Sequence, residues 1–356
     1  MFDCLELLLE ASQGKINLFD EPLIQELGRY LYRVHIADNY FANFADSSAK
    51  FEIEATTAYR YGSRIGDLNL VRLASSAYQT NKPSLSRWLT LHRVIPSFFI
   101  DEKMKEHKAS PPNVRDVWLN RIEVMAAREQ EGSSRGLYLA VKGGHNDESH
   151  NHNDIGHFLV YSDGSPFLID VGVGTYTAKT FSPLRYDIWT MQSAYHNVPM
   201  VKGIQQKVGI AYKANEVDYQ VHHEAAQISL NLASAYPETA GIDSWKRTYS
   251  LNRGQASYIE IVDDFELIQA TDDIIIHLMT PCMPQISSIG SILLKNPGGE
   301  KVNIQYDASN LLASSEAIKL TDERLQAAWG DCLYRIIIKA KQTVSAAVWT
   351  MRICKG

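Results

Sequence analysis

The hydrophobic period changes near residue 118, and that change limits the possible folds more than any other feature. Before it, apolar side chains recur at helical spacing. Phe2, Leu5, Leu8 and Leu9 share one face, as do Leu23, Leu27, Leu31, Val34 and His35. Ser84 is an N-cap candidate for a further helix over 84–94, with Pro96 just past its end. After the change the period is two. Runs at 121–127, 137–141, 228–232, 245–251, 258–262, 274–279, 292–294, 302–306, 333–340 and 344–351 read as strands. Turn residues separate them and no long helical segment intervenes. That excludes a doubly wound α/β sheet and argues for an antiparallel sandwich. Between the two regimes, 103–117 carries charge, a Ser-Pro-Pro step and no periodicity, as a linker would. The expected fold is therefore α+β in two domains: helices over 1–102, a linker over 103–117, and a large antiparallel β-sandwich over 118–356. A length of 356 residues suits two domains better than one.

A net charge of −6 favours neither nucleic acid nor an anionic membrane surface as a partner. No apolar run approaches the roughly 20 residues of a membrane span. Cys4, Cys282, Cys332 and Cys354 are dispersed without metal-type pairing, and are expected to be buried free thiols.

The chemistry gathers in 143–200. His145, His150, His152, His157 and His196, five of the eleven histidines, lie there among amides and glycines. The runs 158–161 and 167–170 flank Asp163-Gly164, which supplies the turn chemistry of a hairpin. On an extended backbone His150 and His152 fall on one side, roughly 7 Å apart, able to share a cavity with different roles. Neutral imidazole and carboxylate together suit zinc, and Asp170 and His196 are the obvious additional ligands. A simple two-residue hairpin, however, pairs Asp170 with His157. Either the loop before Ile155 folds back or His157 is the true partner. A cupin oxygenase also begins with His-x-His, but needs a glutamate where Ile155, Gly156 and His157 stand. No serine has the glycine pattern of a nucleophile elbow. The aromatic, amide-rich stretch 35–44 suits packing between helices, or else the wall of a carbohydrate groove.

The segments HNHNDIGHFLVYSDGSPFLIDVGVGTYT and RYDIWTMQSAYHNVP resemble the heparinase II/III family of polysaccharide lyases. KINLFDEP and RVHIADNYFANFAD look like the late helices of that family's (α/α) toroid; DVWL and SSRGLYLAVKGG look like its entry into the β domain. The resemblance covers essentially the whole chain. It implies a partial toroid followed by a sandwich, acting on an acidic polysaccharide by β-elimination. A base removes the C5 proton of a uronate, neighbouring groups neutralise the carboxylate, and an acid protonates the departing O4. Carried over residue by residue, His150 matches the catalytic-groove histidine. His152, Asp170 and His196 match the ligands of a structural zinc, and Tyr186 matches a tyrosine near the substrate. His157 departs from the family, which commonly has a small polar residue there. Helices that carry further catalytic groups in the family would precede Phe2. The chain is thus expected to be the C-terminal portion of a longer lyase, with little activity alone. A non-catalytic, zinc-containing glycan-binding or remnant module is the alternative. The family also implies a periplasmic or secreted location.

Overall fold

A computed structural model describes residues 1–80, 91–106 and 110–356. The chain divides into two compact units, Met1–His35 with Phe51–Val114, and Ile36–Lys50 with Arg115–Gly356.

Among the described residues the first unit holds the helices Phe2–Ala11, Pro22–Arg33, Ala55–Arg64, Leu68–Thr80 and Leu91–Glu106. Proline at the start of the second needs no N–H partner there. The third is capped by Glu54, whose carboxylate accepts the N–H groups of Thr56 and Thr57. Apolar faces meet in a core built on Phe2, whose ring centroid lies 5.8 Å from Phe19 and 5.2 Å from Tyr61. Gly28 lets its helix lie close to Tyr61 and Ile65, since a Cβ there would stand 2.9 Å from Ile65 Cδ1. The buried Glu6 is matched by Arg60 and Arg64. The cap expected at Ser84 lies outside the described residues. Pro96 lies inside the last helix rather than past its end, and that helix extends into the expected linker as far as Glu106.

The second unit is built from antiparallel sheets. A five-stranded meander runs Asp116–Leu119, Val124–Arg128, Leu137–Lys142, Phe158–Ser162, Ser165–Leu168. An eight-stranded sheet has Ile242–Asn252, Tyr258–Thr271 and Val344–Lys355 at its centre. A four-stranded sheet orders Leu311–Lys319, Cys332–Ala340, Ile274–Thr280 and Pro199–Val201. Side chains from all three sheets meet: Leu137, Leu139 and Val141 from the first, Trp245, Tyr249 and Ile261 from the second, and Ile276 and Ile338 from the third share one core. The Asp163-Gly164 hairpin forms as its sequence predicts, both residues at positive φ (50° and 83°) and Ser162 opposite Ser165.

The stretch 36–50, expected within the helical domain, belongs to this second unit and is not helical. Asp38 and Ala45 sit at positive φ (47° and 59°), which breaks any helix. Its aromatic groups pack on the β unit: Tyr40 lies edge-on to Tyr161, and Phe44 edge-on to His157. The four cysteines are free, but only Cys282 is buried and Cys4 is exposed. No helix among the described residues is long and apolar enough to cross a membrane.

His277, in the strand Ile274–Thr280, is buried, and its Nδ1 has no hydrogen bond among the described residues. Burial, reinforced by Arg335, pushes its pKa down to about 3. The unfolded chain then binds a proton below about pH 6.5 that the folded chain refuses. Stability should fall with acidity by about 1.4 kcal/mol per pH unit over that window. Urea unfolding at pH 6.5 and 4.5 is predicted to show His277→Leu losing about 2–3 kcal/mol less than the parent. Identical acid losses would count against a neutral, buried imidazole.

Candidate metal centre

The site is assembled by a loop that folds back on its own sheet. Leu137–Lys142 and Phe158–Ser162 are paired neighbours, with Val141 opposite Phe158, so 143–157 must leave the sheet and return. Buried Lys142 Nζ meets Asp154 Oδ1 at 2.5 Å. Asn153 N donates to Met191 O, and the Gln206 amide bonds both the N–H and the carbonyl of Ile155. These contacts turn His152 fully inward. After the hairpin, Ile169 N donates to Met279 O, which takes Asp170 out of its own ladder. His196 ends a run of 3-10 turns and precedes Asn197. The Asn197 side chain donates to Phe158 O and Ile169 O and accepts from Met279 N.

His152, Asp170 and His196 thereby offer one donor atom each, all within 4.8 Å of one another and all buried. The hydrogen bonds around them assign the protons. His152 Nε2 donates to Asp46 Oδ1 (3.0 Å) and His196 Nδ1 to Gln192 O (2.9 Å). The lone pairs of His152 Nδ1 and His196 Nε2 then face each other at 3.3 Å. Asp170 Oδ1 accepts Gly172 N, whereas Oδ2 makes no aligned hydrogen bond among the described residues and lies 3.7 Å from His196 Nε2. Two lone pairs and a carboxylate oxygen, buried together, repel one another unless a cation lies between them. Tetrahedral zinc with N ligands at about 2.0–2.1 Å sets donors about 3.3 Å apart. The residues fit such an ion.

His157 answers the question left open by the hairpin. Its Nδ1 accepts Asn197 N, so Nε2 bears the proton and faces Asp170 Oδ2 at 3.3 Å. It therefore turns an N–H, not a lone pair, toward Asp170 and offers no lone pair to an ion. Burial pushes the Asp170 carboxyl up, but the facing imidazoles of His196, His157 and His152 outweigh it and hold the group well below the usual carboxylate range. Burial pushes His196 down to about 4 against the pull of Asp170, which leaves a neutral imidazole near pH 7.

His150 lies apart from these three, with its side chain 54% exposed and its backbone at φ +60°. A histidine there is strained by about 1–3 kcal/mol, a cost that functional sites tend to carry. Its Nδ1 donates to Asp46 Oδ2 at 2.9 Å. Tyr176 stacks beside it and also donates to Asp46 Oδ2. Tyr186 instead accepts Asn151 Nδ2 at 3.3 Å, and Tyr195 packs under Arg335. Asp46 was not found from the sequence. It ends the segment RVHIADNYFANFAD, more than a hundred residues upstream, and nothing in that segment marks it as a partner of the histidines.

The sequence over 124–329, more than half of the chain, matches the family described as Heparinase II/III-like, C-terminal. The chain belongs to that family. This heparinase II/III-like chain is also similar in fold to solved lyases. A heparan sulfate lyase from Pedobacter heparinus matches with a TM-score of 0.68 at 14% identity, over 93% of this chain and 46% of its own. Heparinase III matches with a TM-score of 0.68 at 13% identity, over 99% and 51%. The Streptomyces coelicolor A3 chondroitin AC lyase, solved with chondroitin sulphate, matches with a TM-score of 0.54 at 9% identity, over 100% and 52%. At such identities the likeness is one of fold, and the chain spans about half the length of these structures. No curated protein matches the sequence.

Proposed function

We propose that this chain is the metal-bearing part of a polysaccharide lyase that cleaves uronic-acid-containing glycans by β-elimination. The observation that carries the reading is His150: exposed, held at a strained φ, and fixed by Asp46 beside a buried three-donor centre. With Nδ1–H donating to Asp46, its Nε2 keeps a lone pair able to take the C5 proton of a uronate. That proton is weakly acidic, so a positioned base near its own pKa and neutralisation of the carboxylate are both needed. Tyr186 is the better proton donor to the departing O4. Its hydroxyl accepts from Asn151 and keeps its proton, whereas Tyr176 donates to Asp46. His152, Asp170 and His196 would hold zinc, which supplies positive charge that locks three buried donors into one arrangement. The helices of the first unit fit part of an (α/α) toroid. An acidic polysaccharide substrate agrees with a periplasmic or secreted location.

The test is ultraviolet absorbance of the unsaturated uronate product across a panel of heparin-like, chondroitin-like and alginate-like polysaccharides. Little product is expected from this chain alone, but at least one of them should give some, at a rate proportional to protein. Binding to the same glycans with no product would establish the rival reading, a glycan-binding module that keeps the metal.

A further inference from the structure

We propose that Asp46 is a positioning residue that couples the metal centre to the proposed base, one carboxylate setting the rings of both His152 and His150. The part concerning catalysis rests on reading His150 as the base.

Asp46 is almost fully buried and accepts four hydrogen bonds. Oδ1 takes His152 Nε2 at 3.0 Å and Arg185 Nη2 at 2.6 Å; Oδ2 takes His150 Nδ1 at 2.9 Å and Tyr176 OH at 3.2 Å. The two histidines therefore share one anion, one through each oxygen. Only a group with acceptors on both sides can do this, since both rings present an N–H to it. The two tautomers follow from the same carboxylate: His152 is left with Nδ1 for the ion, and His150 with Nε2 free.

The segment carrying Asp46 is held for this contact from several sides. Asn43 Nδ2 donates to Asp170 O, and Arg324 Nη2 donates to Ser48 Oγ and Asp46 O. Gly172, at φ +76°, lets the segment pass closely, since a Cβ there would stand 3.3 Å from Asn43 Nδ2. Ala45, immediately before Asp46, sits at φ +59°, and His150 at φ +60°. Residues in strained backbone on both sides of one hydrogen bond point to a contact retained for its geometry. Arg185 fixes the other edge, bonding Asn151 O and Thr180 O as well as the carboxylate.

Asp46→Asn tests the proposal, because an amide is isosteric but has one acceptor and one donor. It can satisfy His152 or His150 in the native tautomer, not both. Zinc affinity, read by competition with a chromogenic chelator, is expected to fall about 10–100-fold. Ring ¹⁵N NMR, with the His150 signal identified from a His150→Gln sample, is expected to show His150 leaving the Nδ1–H tautomer. Asp46→Glu, which keeps two acceptors, should retain that tautomer. The parent chain gives a second measurement that needs no variant to fold: loading the zinc-free protein should collapse His150 to one tautomer although it is no ligand. An Asp46→Asn protein with parental affinity and an unmoved His150 tautomer overturns the proposal. So does a loss of affinity with His150 unmoved, which would make Asp46 a support of His152 alone. These readouts stand whether or not any glycan is cleaved, so a failed lyase reading and a failed Asp46 reading are told apart.

Discussion

His150→Ala is expected to lower the rate of unsaturated uronate formation by about 10²–10⁴-fold, the usual loss of a positioned general base. The same change should leave melting temperature and metal content nearly unaltered. Both halves come from its position. The imidazole is more than half exposed and contributes little burial, and its nitrogen meets Asp46 rather than the three converging donors. Arg185 and Tyr176 remain on the Asp46 carboxylate when His150 is gone, so no buried charge is stranded. Rates on the best substrate of the panel, set beside thermal melts and elemental analysis, decide the matter. A variant that turns over like the parent ends His150's candidacy as the base. One that loses its metal shows that His150 and His152 have been given each other's roles.

His152→Ala is the counterpart, and its expected effect is on stability. The parent, purified without chelators, should carry about one zinc per chain, and the variant far less. Removing this ring takes one donor from the ion and one hydrogen bond from Asp46, both in fully buried surroundings. Removing one partner from a buried charged arrangement commonly costs about 3–5 kcal/mol. For a unit of this size that is a fall in Tm of roughly 10 °C. Chelator treatment of the parent should lower Tm in the same direction. Well under one metal per parent chain, with the fold intact, would remove the metal from this account.

The sequence revealed what local chemistry controls. The Asp-Gly hairpin could be read because two residues at positive φ need those side chains. Runs such as 245–251 and 333–340 could be read because alternate positions are buried in one core. Leu311–Lys319 was missed for the converse reason. Its middle, Ser314 to Ala317, is exposed, and the strand is held by main-chain pairing with Cys332–Ala340, which composition does not show. The aromatic groups of 35–44 suit packing between helices or a groove wall, and do not show that 36–50 belongs to the β unit. Asp38 and Ala45 at positive φ exclude a helix there. At the site, the motifs around Asp170 and His196 were visible, but His150 at φ +60° is not on the extended backbone that would set it on one side with His152. Asp46 and the proton-bearing role of His157 depend on contacts between distant segments, and on which ring nitrogen already has a partner.

His196 and Asn197 are adjacent but answer to different demands. The histidine faces the ion-binding donors, while the asparagine side chain seals the seam where the five-stranded and four-stranded sheets meet. Selection can therefore relax on one without relaxing on the other. Replacing His196 would take one donor from the three, whereas replacing Asn197 would leave Phe158 O, Ile169 O and Met279 N without that partner. Histidine at 196 thus serves the candidate centre, and asparagine at 197 the scaffold that carries it.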